Sequence, residues 1–446
     1  MPLPEGFDRK GVICVVEDSV TDFCSMLPRL LLAPDAFAAK PSAHGFLQTH
    51  LQRGLANGAA YTSAMDFDLT DEQRAIQSLA REFARDEVRP RAEEMDREER
   101  FPSELVAKMA ELGFMGLPFP EEYGGAGADT VSYALAVMEI ARADASTAIT
   151  MAAHVSLGAT PFYLFGTERQ KQEYLVPLAR GEMLWGFGLT EPGAGSDAGN
   201  VATKAELRDG KWVINGTKAF ITNSGTEITG GTTITAVTGR RPDGSREISN
   251  LIVAQATPGF TRSRKYSKMG WRASDTRELS FVDAAVPQEN LLGPRGEGYR
   301  QFLSILDGGR ISVAALSIGL AMGAYDEALA YSKERHAFGK PISKFQAISF
   351  KLVDMLTEIE HAKLMMLRAA WEKDQGRDYV QAASFAKLFA GELSHRVVND
   401  ALQIHGGYGF MDEYPISRMY RDQKINEIGE GTNEVQRMIL ARLMGL

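Results

Sequence analysis

Cysteine is nearly missing from this chain of 446 residues: Cys14 and Cys24 are its two, both near the N-terminus. The rest of the sequence therefore offers neither a disulfide framework nor a thiolate nucleophile. Histidine is scarce as well. The seven histidines (His44, His50, His154, His336, His361, His395, His405) show no metal-ligand spacing, so no metal site is expected. Basic charge is short: 49 Lys and Arg against 58 Asp and Glu leave a net charge of −9, which argues against sequence-independent nucleic-acid binding. No run of 18 apolar residues occurs, so no membrane span is expected. A dinucleotide fingerprint is lacking too. Gly193, Gly195 and Gly199 give GxGxxxG with no clear helical pattern after it, which weakens a nicotinamide reading.

What is present suits a globular protein. With 44% hydrophobic and 24% charged residues over this length, two or three packed units are expected. Residues 1–64 mix short apolar runs with Pro, Gly and Ala and show no sustained period; they read as an N-terminal extension, disordered or loosely attached. Glu5, Asp8, Glu17, Asp18 and Asp22 fit neither a secretory signal nor a mitochondrial transit peptide. A bacterial cytoplasmic location is expected, with the mitochondrial matrix as the alternative. From residue 65 to 183 the text is helical: Thr70 with Gln73 makes a capping pattern, and Ala75, Leu79, Phe83 and Val88 recur at roughly helical spacing, as do Leu105, Met109 and Leu112.

From 184 to 295 the grammar is β. Lys211–Thr222 reads as two strands joined by an Asn215-Gly216 turn. Residues 232–238, 250–256 and 278–282 supply further strands, with Asp243-Gly244 as another turn. Helices return from 296 to 446. Leu352, Val353, Leu356 and Ile359 trace one apolar stripe, and Phe385, Leu388, Phe389 and Leu393 a second. The order is helices, a β unit, then a helical bundle. It is not the βαβ alternation of a doubly wound domain.

Two Gly-rich stretches carry the chemistry. In Gly429-Glu430-Gly431-Thr432 a lone carboxylate stands between glycines, ahead of an amphipathic run. Glycines let a backbone approach a flat ligand, and a carboxylate in an apolar pocket is a strong base. Alone, Glu430 also admits the plainer reading of a capping or surface carboxylate. The other stretch, Leu189-Thr-Glu-Pro-Gly-Ala-Gly-Ser-Asp197, could alone be a turn entering a β unit.

Together the two stretches resemble the acyl-CoA dehydrogenase family of flavoproteins, over about residues 65–446. Asn200 departs from the first signature, where a small residue is usual. A second signature is matched by Gln403-Ile-His-Gly-Gly-Tyr-Gly-Phe410 with Glu413, Arg418 and Asp422, and Arg335-His-Ala-Phe338 and Gln346 match as well. The resemblance implies an α+β multidomain fold: an N-terminal all-α domain, a middle β-barrel-like domain and a C-terminal four-helix bundle.

It also implies FAD. Phe187, Leu189, Thr190, Gly195, Ser196, Phe220, Ile221 and Thr222 would lie along the flavin. Arg335, Phe338, Gln346, Gln403, Ile404, His405, Gly406 and Gly407 would meet the rest of the cofactor, with Thr432, Asn433 and Glu434 near it. Arg335 alone could be a surface charge, and Gly406-Gly407 a helix break.

Ser196, Asp307, Gly308, Gly309, Arg310, Gly431 and Arg442 would line the acyl-CoA site. A minority branch takes its base from the 307–310 segment; here Gly308 and Gly309 stand there, so Glu430 is the implied base. The implied reaction is α,β-desaturation of a saturated acyl-CoA, with electrons passed to an electron-transfer flavoprotein, in a homotetramer built as a dimer of dimers. Oxidase, nitroalkane-oxidising and non-catalytic acyl-CoA-binding relatives are the alternatives. Gly429, where many relatives carry a larger residue, suggests a roomier pocket suited to branched or longer chains.

Overall fold

The computed structural model describes residues 67–446. The extension 1–64 lies outside them. Helices of eight residues or more are numbered here: α1 Asp71–Phe83, α2 Ser103–Glu111, α3 Thr130–Ala143, α4 Ala145–Ala153, α5 Gly298–Glu334, α6 Gln346–Asp374, α7 Val380–His405, α8 Pro415–Asp422 and α9 Asn433–Leu443. Between α4 and α5 lie β1 Leu184–Gly188, β2 Lys204–Arg208, β3 Lys211–Thr222, β4 Thr229–Arg240, β5 Arg246–Ala254, β6 Phe260–Arg262, β7 Thr276–Pro287 and β8 Leu291–Leu292. A small ribbon, β9 His336–Ala337 with β10 Lys340–Pro341, links α5 to α6.

Thr70 opens α1 with a reciprocal capping box to Gln73, satisfying two backbone donors that a helix start leaves free. The helix turns Ala80 and Phe83 inward and leaves Ala75 and Leu79 on its exposed side, so the buried stripe is offset from the sequence expectation. The two helical regions share one continuous hydrophobic core, in which α3 packs on α5 and α5 packs on α6 and α7. Gly319 and Gly323 of α5 permit that closeness. A Cβ on them would stand 2.1 Å from the Met138 carbonyl oxygen and 2.3 Å from that of Arg142, both on α3.

Two stretches, Ala145–Phe165 and α5, are long and apolar enough to cross a membrane, but 72% and 78% of their apolar windows are buried inside the protein. Burial on that scale is what the core helices of a globular fold show. The C-terminal stripes divide. Leu352, Ile359 and Leu393 are buried, whereas Val353, Leu356 and Phe385 face outward.

The β unit has its own core of Trp212, Ile214, Ile221, Ile234, Leu251, Val253, Leu279 and Phe281. Its strands run β6-β7-β3-β2-β4-β5-β8, with β1 added parallel to β4. Asp243-Gly244 turns β4 into β5, with Gly244 at φ 83°. Asn215-Gly216, however, is no turn. Residues 211–222 form one strand, and the hairpin from β2 to β3 is made by Asp209 and Gly210, at φ 48° and 74°. The register against β7 shifts between Ile214 and Gly216, so Asn-Gly marks a bulge. Asn215 serves it with its side-chain amide, which donates to the Asp283 carboxylate and accepts from the Asp283 N–H, and Gly216 serves it because a Cβ there would be 2.5 Å from Thr203 Oγ1.

Candidate active site

Glu430 stands in a strained turn between two short stretches of helix. The Ile425 carbonyl accepts from the N–H groups of Ile428 and Gly429 at 2.9 and 2.7 Å, ending the preceding helical turn. The chain then passes through the left-handed region twice in succession, at Glu430 (φ 52°) and Gly431 (φ 87°). That conformation is costly for a residue with a Cβ, and such outliers gather at functional sites. Thr432 accepts from the Val435 N–H at 3.2 Å to start α9, and the buried Gln436 donates to the Gly431 carbonyl at 3.1 Å. The turn is held from both sides.

Its side chain lies against the backbone of α5. A Cβ on Gly309 would stand 2.2 Å from Glu430 Oε2, so that position must be glycine for the carboxylate to sit as it does. Glu430 keeps some exposed surface as a residue, but Oε2 is shut off from solvent and has no hydrogen-bond partner. Burial pushes this carboxyl up to about 7, with the positive charges of Arg310 and Lys387 pulling the other way. Arg310 is itself buried and paired with Asp307 at 2.5 Å. Lys387, buried on α7, donates to Asn433 Oδ1 at 3.1 Å, and its ammonium is drawn down to about 8 by burial. Tyr133 of α3 completes the surroundings; burial, and less strongly the Glu430 charge, raises its hydroxyl pKa. A carboxylate tuned to near neutrality and left without a partner is arranged to accept a proton.

The strand segments meet the same region from the β side. Phe187 and Leu189 pack with Phe302 and Ile305 at the start of α5, the two phenyl rings stacking at 5.5 Å. Thr190 is fixed through its carbonyl, which accepts from the Ala219 N–H at 2.8 Å. The buried Lys218 ties the two strand segments together, donating to the Leu189 carbonyl (3.1 Å), Glu191 (2.7 Å) and Thr235 (3.1 Å). Glu191 in turn accepts from the Ala202 and Thr203 N–H groups. Ile221 is buried and Thr222 half-buried, while Phe220 is 66% exposed at φ 62°. Gly195 and Ser196 lie exposed on the same loop.

A separate cavity of about 480 Å³ is lined by Tyr331, Arg335, Ile342, Ile404, His405, Gly406, Gly407, Tyr408 and Met411. Arg335 lies over the Tyr408 ring at 5.6 Å and forms no ion pair with any described residue. His405 stacks on Tyr331 at 4.4 Å, and its Nδ1 pairs with the Ala401 carbonyl. Burial lowers its pKa and favours the neutral ring. Gly406 and Gly407 have no neighbour where a Cβ would be. An unpaired guanidinium, open glycine backbone and aromatic rings fit a diphosphate joined to an aromatic base, as in FAD.

Of the positions singled out from sequence, then, Asp307, Gly308, Gly309, Arg310, Glu430 and Gly431 converge, while Phe187 and Leu189 pack earlier on α5, at Phe302 and Ile305. Arg335 and Ile404 to Gly407 form the second group, and none of the first group lines its cavity. Phe338 is 95% exposed, and Gln346, Gln403, Glu434 and Arg442 are also exposed. Asn433 is turned inward to Lys387. Lys387, Lys218 and Glu191 escaped the sequence reading. A lone lysine among Ala382, Ala383, Ala386, Ala390 and Gly391 was the available signal for the first.

Residues 70–182, 186–284 and 296–445 match, in order, the N-terminal, middle and C-terminal domains of acyl-CoA dehydrogenase. A probable acyl-CoA dehydrogenase, YngJ of Bacillus subtilis, is 54% identical over 378 residues, 85% of this chain and 99% of that one. Butyryl-CoA dehydrogenase from Megasphaera elsdenii superposes with a TM-score of 0.83 at 44% identity, covering 86% of this chain and all of that one. A chain in the solved structure of the electron transferring flavoprotein of Acidaminococcus fermentans does so at 0.83 and 47%, covering 85% and 99%. The chain is a member of the acyl-CoA dehydrogenase family, FAD-dependent oxidoreductases of three domains.

Proposed function

We propose that this enzyme desaturates a short-chain acyl-CoA between its α and β carbons, with Glu430 as the base, and passes the electrons to an electron-transfer flavoprotein. The observation that carries the reading is the Glu430 carboxyl, its Oε2 buried and unpartnered, near neutral in pKa and seated against Gly309. The Cα–H bond breaks with its proton going to Glu430, and the double bond forms as hydride leaves Cβ. FAD, when bound, supplies the acceptor for that hydride. The Glu430 N–H takes part in no hydrogen bond with the described residues, which leaves it available to the thioester oxygen as enolate charge develops there. Donors of this kind contribute about 3–4 kcal/mol.

Leu189 to Ser196 and Phe220 to Thr222 would hold the flavin ring, and Arg335 with Gln403 to Gly407 the remainder of a cofactor shared between subunits. The Arg335 cavity is lined by no residue of Leu189 to Ser196 or Phe220 to Thr222, which supports a site completed by a second copy. Outward apolar residues on α6 and α9, including Phe350, Val353, Met438 and Leu443, support a homotetramer. The butyryl-CoA and electron-transferring-flavoprotein structures support the short-chain substrate and the electron acceptor, and the bacterial relatives a cytoplasmic setting.

Gly429 leaves room near the turn, since a Cβ there would meet only Ile425, at 3.4 Å and beyond. Anaerobic flavin reduction by straight and branched acyl-CoAs from about C4 to C16 tests the substrate class. A kcat/KM maximum at butyryl- or hexanoyl-CoA is expected; a maximum at C12 or longer, or with branched chains, overturns the short-chain assignment. Turnover with an electron-transfer flavoprotein should far exceed peroxide formation in air.

A further inference from the structure

The face of α7 toward the Glu430 turn carries an unbroken line of contacts. Lys387 donates to Asn433 at 3.1 Å. One turn on, a Cβ at Gly391 would meet the Asn426 carbonyl at 3.0 Å and Asn433 Oδ1 at 3.2 Å. Ser394 then accepts from Asn426 Nδ2 at 3.4 Å. Asn426 and Asn433 bracket the turn that carries Glu430, so α7 is the seat on which it rests. Lys387 is the sole charged residue on this line, and it is fully buried.

The two cations near Glu430 differ in one respect. Arg310 is matched by Asp307 in an ion pair. Lys387 has a neutral amide as its partner, with no carboxylate of the described residues within ion-pair distance. A buried ammonium without a counter-ion is expensive, and loss of its charge would be the ordinary response. The nearby Glu430 carboxylate offsets that cost, and the benefit is mutual.

We propose that Lys387 is a positioning residue for the base: through Asn433 it seats the Glu430 turn on α7, and its unmatched positive charge keeps the carboxylate ionised inside a dry pocket. The proposal rests on Glu430 being the base. Other charged or titratable groups facing the pair are Arg310 and Asp307 on α5, Tyr133 on α3, Tyr379 just before α7, Glu427 ahead of the turn and Glu434 on α9. None of these is an unpaired, fully buried cation. A proton moving from substrate to Glu430 leaves Lys387 facing a neutral acid, so the same charge also favours loss of that proton to solvent once product has left.

The test uses the FAD-loaded enzyme. Flavin reduction is followed anaerobically at low butyryl-CoA from about pH 5.5 to 9, a regime that reports the ionisation of the free enzyme. Lys387→Met should move the acid limb upward by about one pH unit, costing about fivefold in rate at neutral pH, with much of the rate regained at high pH. Lys387→Arg should return the limb toward its original position. A uniform loss of rate at every pH, with the limb unmoved, overturns the proposal and leaves Lys387 a packing residue. If Lys387→Met fails to fold, Asn433→Asp places a carboxylate against the ammonium and should shift the limb the same way; an unmoved limb there also overturns it. Glu430→Gln separates the two ideas. If that variant still reduces flavin near the wild-type rate, the base assignment fails, whatever Lys387 does.

Discussion

The Glu430 turn and the Arg335 cavity lie in the same helical region and are built on opposite terms. Around the Glu430 carboxylate the surroundings are closed in: it abuts α5, one oxygen lacks a partner, and two cations are buried beside it. Around Arg335 the outer wall is open, although Ile404 and His405 beneath it are buried. The guanidinium is exposed, Gly406 and Gly407 face empty space, and Phe338 and Phe410 project outward. The first arrangement raises the electrostatic influence of every charge by excluding water. The second leaves groups free for a ligand or a second subunit. The proposed chemistry is thus preorganised within one chain, while the proposed hold on the cofactor's far end is not.

The sharpest way to break this contrast is to remove the proposed base, Glu430. Glu430→Gln preserves shape and should leave FAD and acyl-CoA binding in place, while flavin reduction should fall by about 10²–10⁴-fold or more. Stopped-flow absorbance at the flavin's visible band, without oxygen, isolates that step. A loss within tenfold would mean another group takes the proton, and the enclosed turn would lose its claim to be the chemical centre.

Arg335→Gln tests the open region in isolation. Losing a charge-assisted contact to a diphosphate should weaken FAD retention about 10–100-fold. The acid limb of flavin reduction should stay where it is, because Arg335 is not among the charges acting on Glu430. Equilibrium dialysis of FAD measures the first and the pH profile the second. Unchanged FAD affinity would return Arg335 to the status of a surface charge.

Gly309→Ala sharpens the enclosed side. Its methyl would fall 2.2 Å from Glu430 Oε2, a distance that no real contact tolerates. Either the carboxylate moves or α5 shifts, and a displaced base should cost about tenfold or more in the reduction rate. FAD content should stay within about twofold, since this position lies away from the Arg335 cavity. The neighbouring Gly308→Ala is the control. There a Cβ would meet Lys373 Nζ at 3.3 Å, the mobile end of a long side chain, and a smaller effect is expected.

Local signals carried much of this into the sequence reading. The Thr70–Gln73 capping box forms as expected, because both partners lie within one turn of chain. The Glu430 turn was visible through its flanking glycines. Asn215-Gly216 misled because a hairpin and a bulge both favour such residues, and the choice depends on Asp283 and Thr203, distant in sequence. The α6 stripe misled for a related reason: Val353 and Leu356 are apolar yet outward, and apolar spacing alone does not say what covers a face. Lys387 and Lys218 stayed hidden because a lysine in a helix or strand reads as a solvated charge until three-dimensional packing buries it.

The smallest effect concerns stability, and it has a definite sign. The Glu430 carboxyl sits near 4.5 when unperturbed and at about 7 in the folded protein, with burial as the leading cause. A raised carboxyl binds its proton more tightly in the folded state than in the unfolded one. Its favourable contribution is therefore complete below about pH 4.5 and fades as pH rises to the folded value. Above that, the folded protein carries a buried ionised carboxylate that glutamine would not have. Glu430→Gln should accordingly melt about 1–3 °C higher than wild type at pH 8, with the difference shrinking toward zero at pH 5. Thermal scans of the FAD-loaded proteins at both pH values measure it. A variant that is equally stable or less stable at pH 8 would mean that Arg310 and Lys387 fully offset the cost of burying the charge. The turn would then be preorganised without any stability being given up for function.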